Sequence, residues 1–216
     1  GALVYPKWIK VISSSEVVKA FVTCSNGEAT QILPFQYEFV DLGLPSGIKW
    51  ATTNVGATKP EEIGLYFAWG EIVPKENYTW NNYKYCDGSY TSLTKYNNRS
   101  AYGEVDNLFT LELSDDAARA NWGGNWRMPT DAELTELREQ CTWTWTTQNG
   151  VNGYKVTSKK NGNSIFLPAA GCRYDSSLYG AGSSGFYWSS SLYTDYPYFA
   201  CSLLFYSGIV DWVSSR

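Results

Sequence analysis

Histidine is missing from this 216-residue chain. Its absence excludes Ser–His and Cys–His nucleophile pairs and every metal site that needs an imidazole. No apolar run approaches the roughly 20 residues that a membrane-crossing helix requires. Positive charge is scarce, with 17 Lys and Arg against 21 Asp and Glu and a net charge of -4, so nothing favours nucleic acid or an anionic lipid surface as a partner. A phosphate-cradling glycine loop is also lacking, because the stretch WGGNW at 122–126 has neither the lysine nor the helix spacing of a P-loop. Five cysteines, Cys24, Cys86, Cys141, Cys172 and Cys201, are scattered with no CxxC pair and no zinc spacing. They read as small buried hydrophobes, with Cys172 and Cys201 as the first pair to test for a disulfide. Two carboxylate pairs occur: Glu61-Glu62 reads as a solvated turn after Pro60, and Asp115-Asp116 as charge at a helix start. The expectation is a protein without metal, cofactor or catalytic centre.

What is present is aromatic. Ten Trp and 17 Tyr, set among many Asn, Ser, Thr and Gly, suggest an extracytoplasmic β-rich protein, and a first residue of Gly1 fits a trimmed mature segment. The length suits one well-cored domain with at most a small attachment. Residues 1–34 carry two extended runs, KWIKVIS and VVKAFVTC, then Asn26-Gly27 as a hairpin signal before EATQILPF. They are expected to form a β arm or linker. Residues 35–216 are expected to form the main domain. In it, FVDLGLPSGIKWATTNVGA and GLYFAWGE read as short strands, followed by an aromatic, Asn-rich loop region from Tyr78 to Tyr102.

Helical signals concentrate between Ser114 and Cys141. Ser114 followed by two acids and several alanines predicts a short helix. Thr130 and Glu133 form a capping box, and Leu134, Leu137 and Cys141 follow at helical spacing. Strands TWTWTT, YKVTS and SIFLPA come next, punctuated by Asn149-Gly150, Asn152-Gly153 and Asn161-Gly162. Two helices amid antiparallel strands make an α+β layout.

The tail has a composition of its own. From Tyr174 to Arg216 there are seven Tyr and eleven Ser but no Lys, Glu, Gln, Asn or Met. Strand alternation puts Phe199, Cys201, Leu203 and Phe205 on a core face, and Tyr198, Ala200, Ser202, Leu204 and Tyr206 on the other. If Ser207-Gly208 is a two-residue turn, Tyr206 pairs with Ile209, Phe205 with Val210, Leu204 with Asp211, Leu203 with Trp212 and Ser202 with Val213. Val210 and Trp212 then join the core. The opposite face, with no Lys or Glu, has the composition of an antibody paratope: Tyr for rigid amphipathic contact, Ser and Gly for adaptable hydrogen bonds. The alternative is that another layer of the same protein covers it. An interface needs about 20–30 residues a side, so the loop around Tyr193, Asp195 and Tyr196 is added, and beyond it Tyr174 to Tyr179.

Five motifs in order, DLGLPSGIKWATTNVGA, GLYFAWGE, NWGGNWRMPTDAELTEL, NGNSIFLPAAG and GFYWSSS, resemble the Fibrobacter-type major paralogous domain found in surface lipoproteins of gut anaerobes. The resemblance runs from about Phe39 to Arg216. It implies a C-type-lectin-like fold, a cell-surface location with membrane attachment only through a lipid anchor since removed, and Trp126, Arg127, Pro129 and Trp188 as invariant scaffold. Some members are variable proteins of diversity-generating retroelements, in which a C-terminal stretch is rewritten at adenines of the coding template. The family's usual Asn positions fall on Ile209, Asp211, Val213 and Ser214, and each of these residue types is reachable from an Asn codon by adenine changes alone. The chain ends where the family usually continues with one more short strand. It also lacks EPN, QPD and WND, so the calcium-dependent sugar site of C-type lectins is not expected.

The resulting expectation is a binder of a protein or cell-surface ligand, not an enzyme, that uses Tyr193, Asp195, Tyr196, Tyr198, Ser202, Leu204, Tyr206, Ile209, Asp211, Val213 and Ser214. The alternatives are a structural or adhesin subunit of a surface appendage, and an enzyme like the formylglycine-generating family, which would need a close reactive cysteine pair.

Overall fold

The computed structural model describes residues 37–215, together with three strands that precede them, and the chain divides into two compact units, Gly1–Tyr37 and Glu38–Arg216. The first unit is an antiparallel meander of β1 (Ile12–Ser14), β2 (Val17–Thr23) and β3 (Ala29–Ile32), with Ile12 opposite Lys19 and Thr23 opposite Ala29. The Asn26-Gly27 hairpin signal and Cys24 lie outside the described residues, as does most of KWIKVIS.

The second unit opens with a two-stranded ribbon of β4 (Phe39–Val40) and β5 (Trp50–Ala51). From residue 52 to 116 the described backbone contains no further strand, only single-turn 3-10 helices at Trp80–Asn82, Ser100–Tyr102 and Leu113–Asp115. The expected strand at GLYFAWGE is therefore absent. The segment is held by long-range side-chain bonds in both directions: Trp188 Nε1 donates to its Phe67 O at 3.0 Å, while its own Trp69 Nε1 donates to Ser189 O at 2.8 Å and its Tyr66 OH to Ala170 O at 2.6 Å. Such long-range anchoring satisfies polar groups without a ladder.

Two α-helices follow. In α1 (Ala117–Trp122) the cap is Asp116, whose carboxylate accepts from Arg119 N at 2.9 Å; Ser114, the expected cap, sits inside the preceding 3-10 turn. Asp116 also accepts from Met128 N at 2.8 Å, which joins the helix start to the segment before the next helix. The second helix, α2 (Asp131–Gln140), has the expected capping box, with Thr130 Oγ1 accepting from Glu133 N and Glu133 accepting from Thr130 N. Its Leu134 and Leu137 are buried, while Cys141 is already the first residue of the next strand.

Eight strands complete the unit, all in antiparallel pairings. β6 (Cys141–Gln148), β7 (Val151–Ser158) and β8 (Ser164–Pro168) form one three-stranded sheet. Its first turn, Asn149-Gly150, has φ of 47° and 85°, the double positive φ that the Asn-Gly pair favours. Asn152-Gly153, expected to be a turn, lies inside β7: a Cβ on Gly153 would stand 2.3 Å from Leu167 O, so the glycine permits close strand approach. β9 (Cys172–Tyr174) and β10 (Ser177–Tyr179) form a small hairpin. β11 (Ser184–Leu192), β12 (Ala200–Tyr206) and β13 (Ile209–Ser215) form a second three-stranded sheet with β12 in the middle. The architecture is α+β, with few helices and mostly antiparallel strands in small sheets.

Two cores meet on β12. One gathers Leu42, Leu134, Leu137, Val156, Leu203 and Phe205; the other gathers Trp69, Tyr85, Tyr96, Leu111, Leu192 and Ala200. The first is aliphatic around an aromatic box, where Phe205 stacks on Tyr187 with ring centres 5.7 Å apart and meets Tyr154 edge-on at 5.3 Å. The second is aromatic and carries a buried ion cluster. Burial alone would raise the Asp115 pKa, but hydrogen bonds from Lys95 at 2.6 Å, Tyr96 OH at 2.6 Å and Lys84 at 3.3 Å outweigh it and hold the carboxyl well below the usual range. Asp115 is thus a buried tie between loop segments, and of the pair expected as helix-start charge only Asp116 stands at the start of α1.

Candidate functional site

The β12–β13 hairpin has the register expected from Ser207-Gly208, from Tyr206 opposite Ile209 through Ser202 opposite Val213, and it continues to Ala200 opposite Ser215. Cys201, Leu203 and Phe205 are buried as the alternation requires. The other face divides. At its tip Tyr206 and Ile209 are each 43% exposed, and Leu204, Asp211 and Val213 share that face by register. At its base Ala200 and Ser202 are buried, because the aromatic segment that carries Trp69 covers the sheet there. Ser202, expected on the ligand surface, is instead held inside by bonds to Val213 O at 3.2 Å and Ser215 Oγ at 3.0 Å. Both expectations for this face are therefore met in part: one end is open and the other is covered by the protein's own chain.

Two further corrections concern β13. Ser214 pairs with Cys201, so it belongs to the opposite face from Ile209, Asp211 and Val213, and it is half-buried. Trp212 pairs with Leu203 but is 44% exposed, because β13 is the outer strand and the first core reaches only as far as Val210. Asp211 accepts from Arg138 of α2 at 2.9 Å and from the Trp212 backbone N–H at 2.9 Å. The two-residue turn makes Leu203–Trp212 a non-hydrogen-bonded pair, so that N–H points away from β12 and Asp211 caps it.

The loop residues of the expected site form a separate cluster at the other end of β12, about 20 Å from the tip at ~3.3 Å per strand residue. There Tyr193 stacks on Tyr196 at 6.3 Å, Asp195 pairs with Arg99 at 3.5 Å, and Tyr198 is half-buried among Tyr90 and Tyr102, each 5.1 Å away. Asn98 Nδ2 donates to Thr194 O at 3.0 Å and ties the two loops together. Tyr90, Arg99 and Tyr102 come from the Asn-rich stretch that the sequence marks only as loop, and no local pattern foretells their meeting with Tyr198. Phe186 of β11 was likewise missed; it lies opposite Leu204 and widens the tip face. On the β9–β10 hairpin Tyr174, Leu178 and Tyr179 are all exposed.

No family model, curated protein or solved structure matches the chain.

Cys172 and Cys201 do not form a disulfide; they sit in different sheets, and the four described cysteines are all free thiols. Burial raises the pKa of Cys86, Cys141 and Cys172, and that of Cys201 to about 11. Glu61 and Glu62 are spent on local closure, Glu61 accepting from Asn149 at 2.8 Å and Glu62 from Thr58 N at 2.7 Å. Among the described residues no three His, Cys, Asp or Glu side chains are grouped to hold a metal ion.

Proposed function

We propose that the second unit is a surface-displayed ligand-binding domain of C-type-lectin-like fold, and that the tip of its last hairpin touches the ligand. The observation that carries this is the joint exposure of Tyr206 and Ile209, opposite one another on a hairpin with no Lys or Glu. Leu204, Phe186 and Val213 extend the same surface around Asp211. Exposed apolar side chains grouped in this way mark contact with another molecule. The hairpin backbone is pinned by the packing of Phe205 and Leu203 beneath it, so the outer side chains can change while the fold stands. Such a division suits a retroelement-diversified member of the Fibrobacter-type family. It narrows the contact set to Leu204, Tyr206, Ile209, Asp211 and Val213, with Tyr193, Asp195, Tyr196 and Tyr198 as a second, distant patch.

The test is the DNA beside the coding sequence. A reverse transcriptase gene and an imperfect repeat of the tail's coding sequence, mismatched only at adenines, are the expected finding. Finding neither would leave ordinary adhesion as the better account. The appendage-subunit alternative has one observation in its favour, the position of β13 as an outer strand open to pairing. The capping of Trp212 N–H by Asp211 opposes it, and light scattering that shows concentration-dependent self-association would support it. The raised thiol pKa values weigh against a formylglycine-generating-like enzyme, which would need a reactive thiolate.

A further inference from the structure

We propose that the cleft between the 64–78 segment and the β9–β10 hairpin binds a pyranose carrying a carboxylate, a sugar of the uronic-acid class, with Arg173 recognising the acid group. The cleft is open to solvent on one side and has a volume of about 540 Å³. Its walls are joined on one side by a backbone bridge, Tyr78 N donating to Asp175 O at 3.0 Å and Asp175 N to Tyr78 O at 3.3 Å. Tyr78 OH donates to Tyr66 O at 2.7 Å, and Tyr66 OH is spent on Ala170 O. The two rings are thereby fixed, so they offer faces to a ligand instead of free hydroxyls.

The guanidinium of Arg173 lies 5.2 Å from the centre of the Tyr66 ring and donates one long bond, 3.4 Å, to Ser176 O. Among the described residues it has no ion pair. Most of its five N–H donors are therefore open, in the planar fork that matches a carboxylate. Lys75, the other cation of the cleft, is already engaged by Glu71 at 2.8 Å and Asn82 O at 2.7 Å. Glu76 stands exposed at the rim. A carboxylate there can accept from the hydroxyls of a ring whose own acid group lies on Arg173, which favours an acid embedded in a hydroxylated ring over a simple carboxylate such as acetate. Leu65, 44% exposed, gives apolar surface for the C–H face of the pyranose beside the Tyr66–Arg173 stack. None of these residues belongs to the hairpin tip, so this site stands or falls separately from the ligand surface proposed there.

The experiment is a titration of the full chain, by calorimetry and saturation-transfer NMR, with sodium D-glucuronate, D-glucose, sodium acetate and inorganic phosphate. Glucuronate is expected to bind at least about tenfold more tightly than the other three, since only it joins the ring to the acid group. Arg173→Gln should abolish glucuronate binding, and Arg173→Lys should weaken it by about tenfold through loss of the fork and the ring stack. Ser176→Tyr, at an exposed hairpin position, should block the cleft while leaving Arg173 in place, and it decides the matter if Arg173→Gln does not fold. Joint Tyr206→Ser and Ile209→Ser substitution should leave glucuronate binding unchanged. The proposal is overturned if glucuronate does not bind, if acetate, phosphate or glucose binds equally well, or if folded Arg173→Gln or Ser176→Tyr binds glucuronate as the parent does.

Discussion

Gly185 and Phe205 face each other across β11 and β12, and a methyl group added to Gly185 would have nowhere to go. Its ideal Cβ falls 2.2 Å from Phe205 Cζ and within 2.7 Å of both neighbouring ring carbons. The ring cannot swing aside, because Tyr187 stacks on it, Tyr154 meets its edge, and Trp143 and Trp145 lie with ring centres 6.4 Å away. Gly185→Ala should therefore cost about 1–3 kcal/mol, the usual range for an overpacked core. Phe205→Ala, at a side chain with 0% exposure, should cost ~3–5 kcal/mol. If the two acted independently the pair would cost ~4–8 kcal/mol, which would unfold many domains of ordinary stability. In the double variant the methyl added at Gly185 instead enters the space the ring has left, so the pair should cost no more than Phe205→Ala alone, a coupling of about 1–3 kcal/mol in the stabilising direction. Urea denaturation followed by tryptophan fluorescence measures all four corners, given ten Trp in the chain. Additive costs within ~0.5 kcal/mol, or a neutral Gly185→Ala, would show that the ring does not sit against Gly185.

Three further outcomes are expected. Joint substitution of Tyr206, Ile209 and Asp211 by Ser should lower stability by no more than about 1 kcal/mol in the same denaturation assay, since these side chains are exposed; a loss as large as that of Phe205→Ala would mean the faces are reversed. Because the folded-state pKa of Asp115 is depressed, its ion cluster contributes stability that is present above the unfolded carboxyl pKa of about 3.9 and lost as pH falls toward the folded value; Asp115→Asn should flatten the loss of stability between about pH 5 and pH 2, and an unchanged acid limb would refute the cluster. Thr130→Ala should cost ~1 kcal/mol through loss of the α2 cap, read from the melting of the variant, and no loss would contradict the capping box.

Local chemistry was legible wherever it acts over a few residues. Thr130 and Glu133 announced α2, Asn149-Gly150 announced the β6–β7 turn, and Ser207-Gly208 set the pairing of β12 with β13 residue by residue. The short helix after Ser114 was anticipated but not its cap, because Ser114 and Asp116 offer the same capping chemistry and only the path of the preceding turn selects between them. Asn152-Gly153 was misread for a similar reason: Asn-Gly favours a turn, yet the glycine was needed for the close approach of Leu167.

By itself the sequence determined the α+β character, the second helix, the hairpin register and the inward set Cys201, Leu203 and Phe205. Each of these follows from turn chemistry and period-two or helical spacing within a short window. Tertiary structure alone decided which outward residues meet solvent. Ser202 is buried and Tyr206 exposed on the same strand face because Trp69, bonded to Ser189 120 residues away, brings an aperiodic segment over one end of the sheet and stops short of the other. It also decided that Tyr198 joins Tyr90 and Tyr102, and that Arg173 rests on Tyr66, since contacts between segments without periodicity leave no mark in the local pattern of either.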